Sequence, residues 1–370
     1  MKIRKITGLL LVFMLLTGLV AGCGNSQSND GEAPDNKEEK FLVGFIYIGE
    51  PGDAGFTYAH DLGRQYLVEK LPNVETKVFE NVQEGSADVE RSLEQLAQEG
   101  CKVIIANSFG YGDAVHEVAK RHSDIVFLHC SGLEIAENVG TYFGRIYQAR
   151  YLSGMVAGAM TENNNIGYVA AYTIPEVVRG INAFTLGAQS VNPDVKVTVV
   201  KTNTWYDPNI EKQAAISLLE KGCDVIAQHQ DTPSAQIAAE EAGKYSIGYN
   251  SDMAKFAPNA HLTSPVWNWG PYYVTAVQQV MDGTWKTSAY WGGLDEDIID
   301  LAPISDKVPA EVKEQVAAKK QAMINKEWDV FYGPITDQAG NLKVKEGEKM
   351  TDEEMLSFNW FVKGVEGKID

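Results

Sequence analysis

The chain has 370 residues, of which 44% are hydrophobic, and its formal net charge is −18 at pH 7. This acidic balance argues against nucleic acid and anionic lipid headgroups as partners. The roughly 330 residues from Phe41 onward exceed what one hydrophobic core usually supports, so two lobes are predicted.

The first residues have the pattern of a secretory signal. Three basic residues precede the apolar stretch 9–20, and small residues precede Cys23. The stretch is too short and wrongly flanked for a stable transmembrane helix. Its end resembles the bacterial lipobox, so residues 1–22 are predicted to be a lipoprotein signal peptide and Cys23 the lipidated residue. An ordinary signal peptide with a chance cysteine is the alternative.

Residues 23–40 are polar and contain almost no aliphatic side chains. Such a segment cannot bury enough surface to offset its ordering entropy, so it is predicted to be a flexible tether. A lipid anchor at Cys23 would hold the protein at the extracytoplasmic face of a bacterial cell membrane.

An internal repeat predicts the architecture of the rest. Four segments recur in order after 120 to 124 residues: 41–48 with 165–172, 74–82 with 195–203, 93–108 with 215–230, and 125–132 with 245–252. Each half alternates short apolar strands with helices, which is typical of a parallel sheet covered on both faces. The predicted fold is α/β, with two doubly wound Rossmann-like lobes joined by a hinge.

The predicted lobe boundaries follow from this repeat. Lobe one comprises 41–147 plus about 253–285, and lobe two comprises 148–252 plus about 286–370 with a C-terminal extension. Cys101 and Cys223 occupy equivalent places in separate lobes, which favours buried core thiols over a disulfide between them.

Ligand groups in doubly wound sheets lie in loops at the carboxyl ends of strands. The predicted ligand-binding residues are Asp53, Phe56, Tyr58, Asn107, Phe109, Trp205, His229, Gln230, Asn250, Asp252, Trp267 and Asn268. Aromatic rings with acidic and amide groups, and few cations, favour a planar or ring-bearing ligand over a phosphate or carboxylate. Core packing is the alternative for each aromatic residue, and a helix N-cap is the alternative for Asp53 and Asp252.

Enzymatic patterns are incomplete in this sequence. The segment 116–120 has Lys120 where a zinc protease needs its second histidine, and 109–115 lacks the third glycine of a dinucleotide fingerprint. No catalytic residue, metal or cofactor is therefore predicted. Paired carboxylates for glycoside hydrolysis stay open, although nothing points to them.

Two segments carry a family resemblance. Residues 145–172, "RIYQARYLSGMVAGAMTENNNIGYVAAY", and the C-terminal stretch from Trp328, which begins "WDVFYGPITDQ", resemble the basic membrane protein family of lipoproteins. These are substrate-binding proteins of purine-type ABC importers. The resemblance implies a type I periplasmic-binding-protein fold, a non-enzymatic monomer, a purine in the interlobe cleft, and an ABC permease and ATPase as partners.

Within that family, Asp53 and Phe56 match the pair that contacts the base, and Asp252 matches the aspartate that holds ribose. The ribose lysine is missing, because Trp267 and Asn268 stand in the corresponding stretch. Trp205 resembles a marker of free-nucleobase binders, so adenine or another base is favoured over guanosine, inosine or adenosine. The open alternatives are a nucleoside, riboflavin or sugar binder, and a ligand sensor for a membrane kinase.

Overall fold

The computed structural model describes residues 40–369, and these belong to one compact unit. The predicted signal peptide, Cys23 and the tether up to residue 39 lie outside the described residues. Within the described range, no helix combines the length and apolarity needed to cross a membrane.

The strands are short and follow the chain in this order: β1 (Phe41–Ile46), β2 (Val74–Phe79), β3 (Val103–Ala106), β4 (Val126–Cys130), β5 (Val139–Gly144), β6 (Asn165–Ala170), β7 (Lys196–Lys201), β8 (Val225–His229), β9 (Tyr245–Ile247), β10 (His261–Thr263), β11 (Pro265–Trp267), β12 (Ala289–Gly292), β13 (Ile299–Leu301), β14 (Ile335–Thr336), β15 (Leu342–Val344) and β16 (Val365–Glu366). The helices are α1 (Phe56–Lys70), α2 (Ala87–Gln98), α3 (Gly112–Arg121), α4 (Tyr147–Met160), α5 (Pro175–Val191), α6 (Pro208–Glu220), α7 (Ser234–Glu241), α8 (Gly270–Met281), α9 (Ala310–Ile324) and α10 (Asp352–Leu356).

Two six-stranded sheets organise the described chain. Their strand orders are β12-β5-β4-β3-β1-β2 and β10-β9-β8-β6-β7-β16. Every pairing within them is parallel. The central strands are buried because their apolar residues face helices on both sides of each sheet. The predicted α/β fold with two doubly wound lobes is confirmed.

The outer strands do not follow the predicted lobe boundaries. β10 pairs with β9 in the second sheet, although 253–285 was assigned to lobe one. β12 pairs with β5 in the first sheet, although residues after 285 were assigned to lobe two. The reason is that both are edge strands of three or four residues, too short to carry a periodic pattern. Helix α8 packs against α1 of the first lobe.

The described cysteines are buried free thiols. Cys101 packs in a core cluster with Leu93 and Leu96, whereas Cys223 packs in a separate cluster with Leu218. Burial raises the pKa of Cys101 and that of Cys223 to about 11, so both thiols stay protonated at neutral pH. The prediction of core residues, rather than a disulfide between them, is confirmed.

Helices α4 and α5 cross at very short distance. A Cβ atom built on Gly187 would lie 2.8 Å from the carbonyl carbon of Tyr151, and one on Gly154 would lie 2.9 Å from that of Phe184. Real Cβ atoms do not approach backbone this closely, so both positions require glycine. The crossing fixes α5, which begins at the edge of the cavity described below.

Glu211 near the start of α6 makes the stability of the fold depend on pH. The side chain is fully buried and accepts hydrogen bonds from Asp207 N and from the backbone and hydroxyl of Thr232. Burial outweighs these bonds and raises its pKa to about 7. The folded protein then keeps a proton that the unfolded chain loses near pH 4.3, so the free energy of unfolding falls as pH rises from about 4 to about 7.

Glu211→Gln is expected to remove this loss, which amounts to up to about 3 kcal/mol between pH 5 and pH 8. Urea unfolding of wild type and variant across that range measures it. Glu220→Gln, at the exposed end of the same helix, should keep the wild-type slope. If the free energy of unfolding of Glu211→Gln depends on pH as steeply as that of wild type, Glu211 is not the source of the pH dependence.

Candidate functional site

A cavity of about 320 Å³ lies between the carboxyl ends of the two sheets. The side formed by the first sheet consists of Ile48, Phe56, Ser108, Phe109, Ser131, Gly132, Leu133, Thr141, Tyr142, Phe143, Ala289, Tyr290 and Trp291. The side formed by the second sheet consists of Ile174, Pro175, Glu176, Arg179, Trp205, His229, Asp231 and Tyr249. The C-terminal segment adds Asp352 and Leu356. Aromatic rings from both lobes therefore enclose a small set of charged groups.

Four of the predicted residues line this cavity: Phe56, Phe109, Trp205 and His229. Phe56 is the first residue of α1, and its ring meets His60 edge-on at 4.4 Å between centroids. Trp205 follows β7 and packs edge-on against Tyr172 at 5.0 Å. Each ring follows the carboxyl end of a strand or lies at that end, as the fold prediction requires.

Asn250 and Trp267 support the cavity from behind. Asn250 is fully buried and adopts a left-handed backbone conformation, with φ of 69°. Its Nδ2 donates to Asp231 Oδ1 at 2.9 Å, and its Oδ1 accepts from Trp267 Nε1 at 2.9 Å. Trp267 in turn stacks on Trp269, with centroids 4.6 Å apart. This network orients Asp231, which does line the cavity.

Asn107 and Gln230 are also buried supports outside the cavity lining. Asn107 Oδ1 accepts from Ile48 N at 3.0 Å and so joins the ends of β1 and β3. With its amide nitrogen towards the following loop, Gln230 donates to the carbonyl oxygens of Thr204 at 3.2 Å and Trp205 at 3.0 Å. Amide side chains were predicted at the cavity because they follow strands, but here they satisfy backbone groups of those loops.

The remaining predicted residues lie outside the lining. Asp252 is exposed and accepts from Ala254 N at 3.0 Å, a local bond two residues along the chain. Exposed Asn268 donates to Asp297 O at 2.8 Å. Tyr58 lies in α1, with Lys255 Nζ 5.9 Å from its ring centroid. Asp53 ends the short 3-10 turn Pro51–Asp53, and its side chain lies outside the description, so its role stays a prediction.

Glu176 is the main residue that the sequence analysis missed. It lies in the first turn of α5, its side chain is 18% exposed, and its Oε1 is 3.3 Å from His229 Nε2. Burial alone would raise its pKa, but the interaction with His229, followed by the charges of Arg179 and Arg150, outweighs burial, so the pKa is lowered. Burial lowers the pKa of His229, so the imidazole is neutral at pH 7 and the carboxylate is ionised.

Two buried arginines add positive charge near Glu176. Arg150 lies 3.6 Å from the centroid of the Tyr249 ring and donates to Gln228 O at 2.6 Å. Arg179 lines the cavity and donates to Met355 O at 2.6 Å. Burial lowers the pKa of Arg179 to about 10, which still leaves it charged at pH 7. Of the three acidic residues that line the cavity, Glu176, Asp231 and Asp352, Glu176 is the one whose charge these guanidinium groups help to stabilise.

The repeat contained a signal for Glu176. Segment 41–48 corresponds to 165–172, so the loop that follows β6 corresponds to the loop that supplies Phe56. The loop after β6 was not among the predicted ligand loops. Pro175, placed at the first helical position, marks where α5 begins and puts Glu176 in its first turn.

Two doubly wound sheets with an aromatic-lined cavity between them define a solute-binding protein that closes around a small molecule. The chain belongs to the family of PnrA-like ABC transporter substrate-binding proteins (Bmp), whose family model matches residues 40–332. Members of this family are extracytoplasmic and non-enzymatic, and they deliver a small-molecule ligand to a transporter permease.

Two curated relatives cover most of the chain. A purine-binding protein of Brucella abortus (strain 2308) is 44% identical over 90% of this chain and 95% of its own length. A Haloferax volcanii protein named for ABC-transporter glucose binding, TsgA13, is 42% identical over 94% of this chain and 85% of its own length. The two relatives are named for chemically different ligands.

Solved structures show the same fold. A solute-binding protein of an ABC transporter system from Aeropyrum pernix K1 is similar with a TM-score of 0.69 and 20% identity, over 80% of this chain and 94% of that one. A protein of the same description from Conexibacter woesei DSM 14684 is similar with a TM-score of 0.66 and 21% identity, over 78% of this chain and 98% of that one.

Proposed function

We propose that this protein binds a purine, with a free nucleobase such as adenine favoured, and presents it to an ABC permease. The observation that carries the proposal is an ionised carboxylate, Glu176, in a cavity whose other walls are mainly aromatic and aliphatic. A purine offers a flat face for the rings and N–H donors for a carboxylate. The purine-binding relative at 44% identity supports the same ligand class.

The energies of such contacts are sufficient. A purine has about ten non-hydrogen atoms, and the efficiency ceiling of ~1.5 kcal/mol per atom permits up to ~15 kcal/mol. Each aromatic contact adds roughly 0.5–1.5 kcal/mol beyond burial. A hydrogen bond to a charged group adds roughly 1.5–3 kcal/mol. Sub-micromolar binding needs about −8 kcal/mol, which these contacts and burial of the ring can reach.

The polar groups around the cavity favour a base over a nucleoside. Asp252, which matches the ribose aspartate of the nucleoside-binding branch, is exposed and accepts from Ala254 N. Among the described residues that line the cavity there is no lysine, and Arg179 is bonded to Met355 O. The two groups expected to hold ribose are therefore not in place.

A sugar is the second candidate, because TsgA13 is named for glucose binding and is 42% identical. Aromatic faces stack on sugar rings as they do on bases, and carboxylates accept from sugar hydroxyls.

The proposal for cell attachment is separate from the ligand: lipidation at Cys23 would hold a monomeric binding protein at the membrane beside its permease and ATPase.

Thermal unfolding of residues 40–370 with adenine, guanine, adenosine, guanosine, riboflavin, ribose and glucose tests the ligand class. Any co-purified ligand is first removed by denaturation and refolding. A ligand at about a hundred times its Kd should stabilise the fold by roughly 2.7 kcal/mol. Stabilisation by a free base is expected. Stabilisation by glucose alone would overturn the purine proposal in favour of the sugar.

Glu176→Gln is expected to weaken binding of the free base about tenfold to a hundredfold, because the hydrogen bond to a charged acceptor is lost. Isothermal titration calorimetry measures the change. Glu220→Gln removes an exposed carboxylate of the same lobe outside the cavity lining and should bind as wild type does. Equal affinities for the two variants would show that Glu176 does not contact the ligand.

A further inference from the structure

A second cavity of about 310 Å³ lies next to the ligand cavity and shares Trp291 and Asp352 with it. Its other walls are mainly polar, with the charged residues Arg145, Asp295, Lys326 and Asp329 beside apolar side chains such as Met323. The ligand cavity has mainly aromatic and aliphatic walls. Trp291 and Asp352, here named the partition, therefore separate an apolar compartment from a polar one.

Arg145 holds the partition from the polar side. Its Nη1 and Nη2 donate to the two carboxylate oxygens of Asp352 at 2.8 and 2.6 Å, a bidentate pair. Its Nε donates to Trp291 O at 3.0 Å, and its guanidinium lies 4.1 Å from the indole centroid. A bidentate ion pair with a cation–π contact fixes orientation more strongly than either alone.

Arg179 holds the partition from the side of the ligand cavity. Its guanidinium lies 4.9 Å from the Trp291 ring centroid. The indole therefore contacts two guanidinium groups, Arg179 from the lining of the ligand cavity and Arg145 from the lining of the polar cavity. Arg179 also donates to the carbonyl oxygen of Met355 in α10, the helix that begins at Asp352. One pair of arginines thus joins the indole to the C-terminal helix.

Helix α10 completes the wall. Met355 lines the polar cavity, and the adjacent Leu356 lines the ligand cavity. The family match ends at residue 332, so this helix comes from the segment beyond it. The segment is firmly attached to the second lobe, because Asn182 Nδ2 donates to Trp360 O at 2.8 Å and β16 pairs with β7.

We propose that the partition determines specificity by limiting the ligand to a compact ring. The polar cavity offers further charged groups that could hold sugar hydroxyls, and the partition closes it off from the base. A ribose attached to the base would meet the indole and an Asp352 carboxylate already bonded to Arg145, which leaves its hydroxyls unpaired. This inference rests on the proposed function, since it concerns which purine fits the same site.

The test compares adenine and adenosine in wild type, Trp291→Ala and Asp352→Ala by isothermal titration calorimetry. Opening the wall should lower the ratio of the adenosine Kd to the adenine Kd by about tenfold or more in both variants, whatever happens to adenine alone. Lys326→Ala is the matched control, because it changes the lining of the polar cavity without touching the wall. Asp352→Ala covers the case in which Trp291→Ala does not fold, because the Asp352 side chain is 57% exposed.

The outcomes separate this inference from the purine proposal. A wild type that binds adenine, with an unchanged ratio in both variants, overturns the role of the partition and leaves the purine proposal standing. Equal affinity of wild type for base and nucleoside also overturns that role. If wild type binds glucose alone, the purine proposal fails, and the variants are compared with glucose and maltose. If neither variant gains maltose binding, the proposed role of the partition in specificity is overturned as well.

Discussion

Gly187→Ala is expected to lower the free energy of unfolding by about 3 kcal/mol or more, because the new methyl group would overlap the backbone of Tyr151 in α4. Backbone cannot rotate away as a flexible side chain can, so the two helices would have to separate. The melting temperature should fall by about 4 °C or more. Differential scanning calorimetry of the ligand-free protein measures it.

Gly180→Ala is the matched control within the same helix. A Cβ at Gly180 would lie 3.7 Å from its nearest neighbours, which is ordinary van der Waals contact. Alanine is also the better helix former by about 1 kcal/mol, so this variant should melt at or above the wild-type temperature. If Gly187→Ala has the same melting temperature as Gly180→Ala, the close crossing of α4 and α5 is not needed for stability.

The repeat was sufficient to predict the centre of both sheets. Continuous apolar runs such as 103–106 and 225–229 become fully buried strands at equivalent positions, since a parallel sheet covered on both faces imposes one local pattern. The edge strands β10, β12 and β16 were beyond such an analysis. They contain two to four residues, and pairing with distant strands determines where they form. A short stretch of sequence does not show that pairing.

The site was predictable only in part, for a different reason. Loop position identified the cavity rings Phe56 and Trp205, but it could not distinguish a side chain that faces a ligand from one that satisfies backbone. Asn107 and Asn250 follow strands and yet bond within the protein. Asp352 comes from a segment outside the repeat, and its place at the cavity depends on Arg145, 207 residues earlier in the chain.

Gly55→Ala is expected to weaken ligand binding about a hundredfold without destabilising the ligand-free protein. Gly55 precedes α1 in the first lobe, and a Cβ there would lie 2.7 Å from Cα of Asp231 and closer still to its carbonyl oxygen. Asp231 follows β8 of the second sheet, so this contact sets how closely the two lobes approach. Ser251 Oγ donates to the carbonyl oxygen of Ala54 beside it, at 2.5 Å.

The reason for the large effect is that the ligand gains contacts from both lobes at once. Phe56 stands on one side and Glu176 with Trp205 on the other, so a methyl group that holds the lobes apart removes one side's contacts. A loss of about 3 kcal/mol corresponds to roughly a hundredfold in Kd. We expect the folding of each lobe to be unaffected, because the three atoms nearest to this Cβ all belong to Asp231 of the other lobe.

Gly52→Ala, in the same loop, is the matched control, because no atom lies within 4 Å of a Cβ built there. It should bind as wild type does, and calorimetric titration with the ligand that stabilises wild type compares the three proteins. Small-angle scattering of the ligand-saturated variants adds a second readout, in which Gly55→Ala should keep a larger radius of gyration. If Gly55→Ala binds as tightly as Gly52→Ala and becomes equally compact, then ligand capture does not need the lobe spacing seen here.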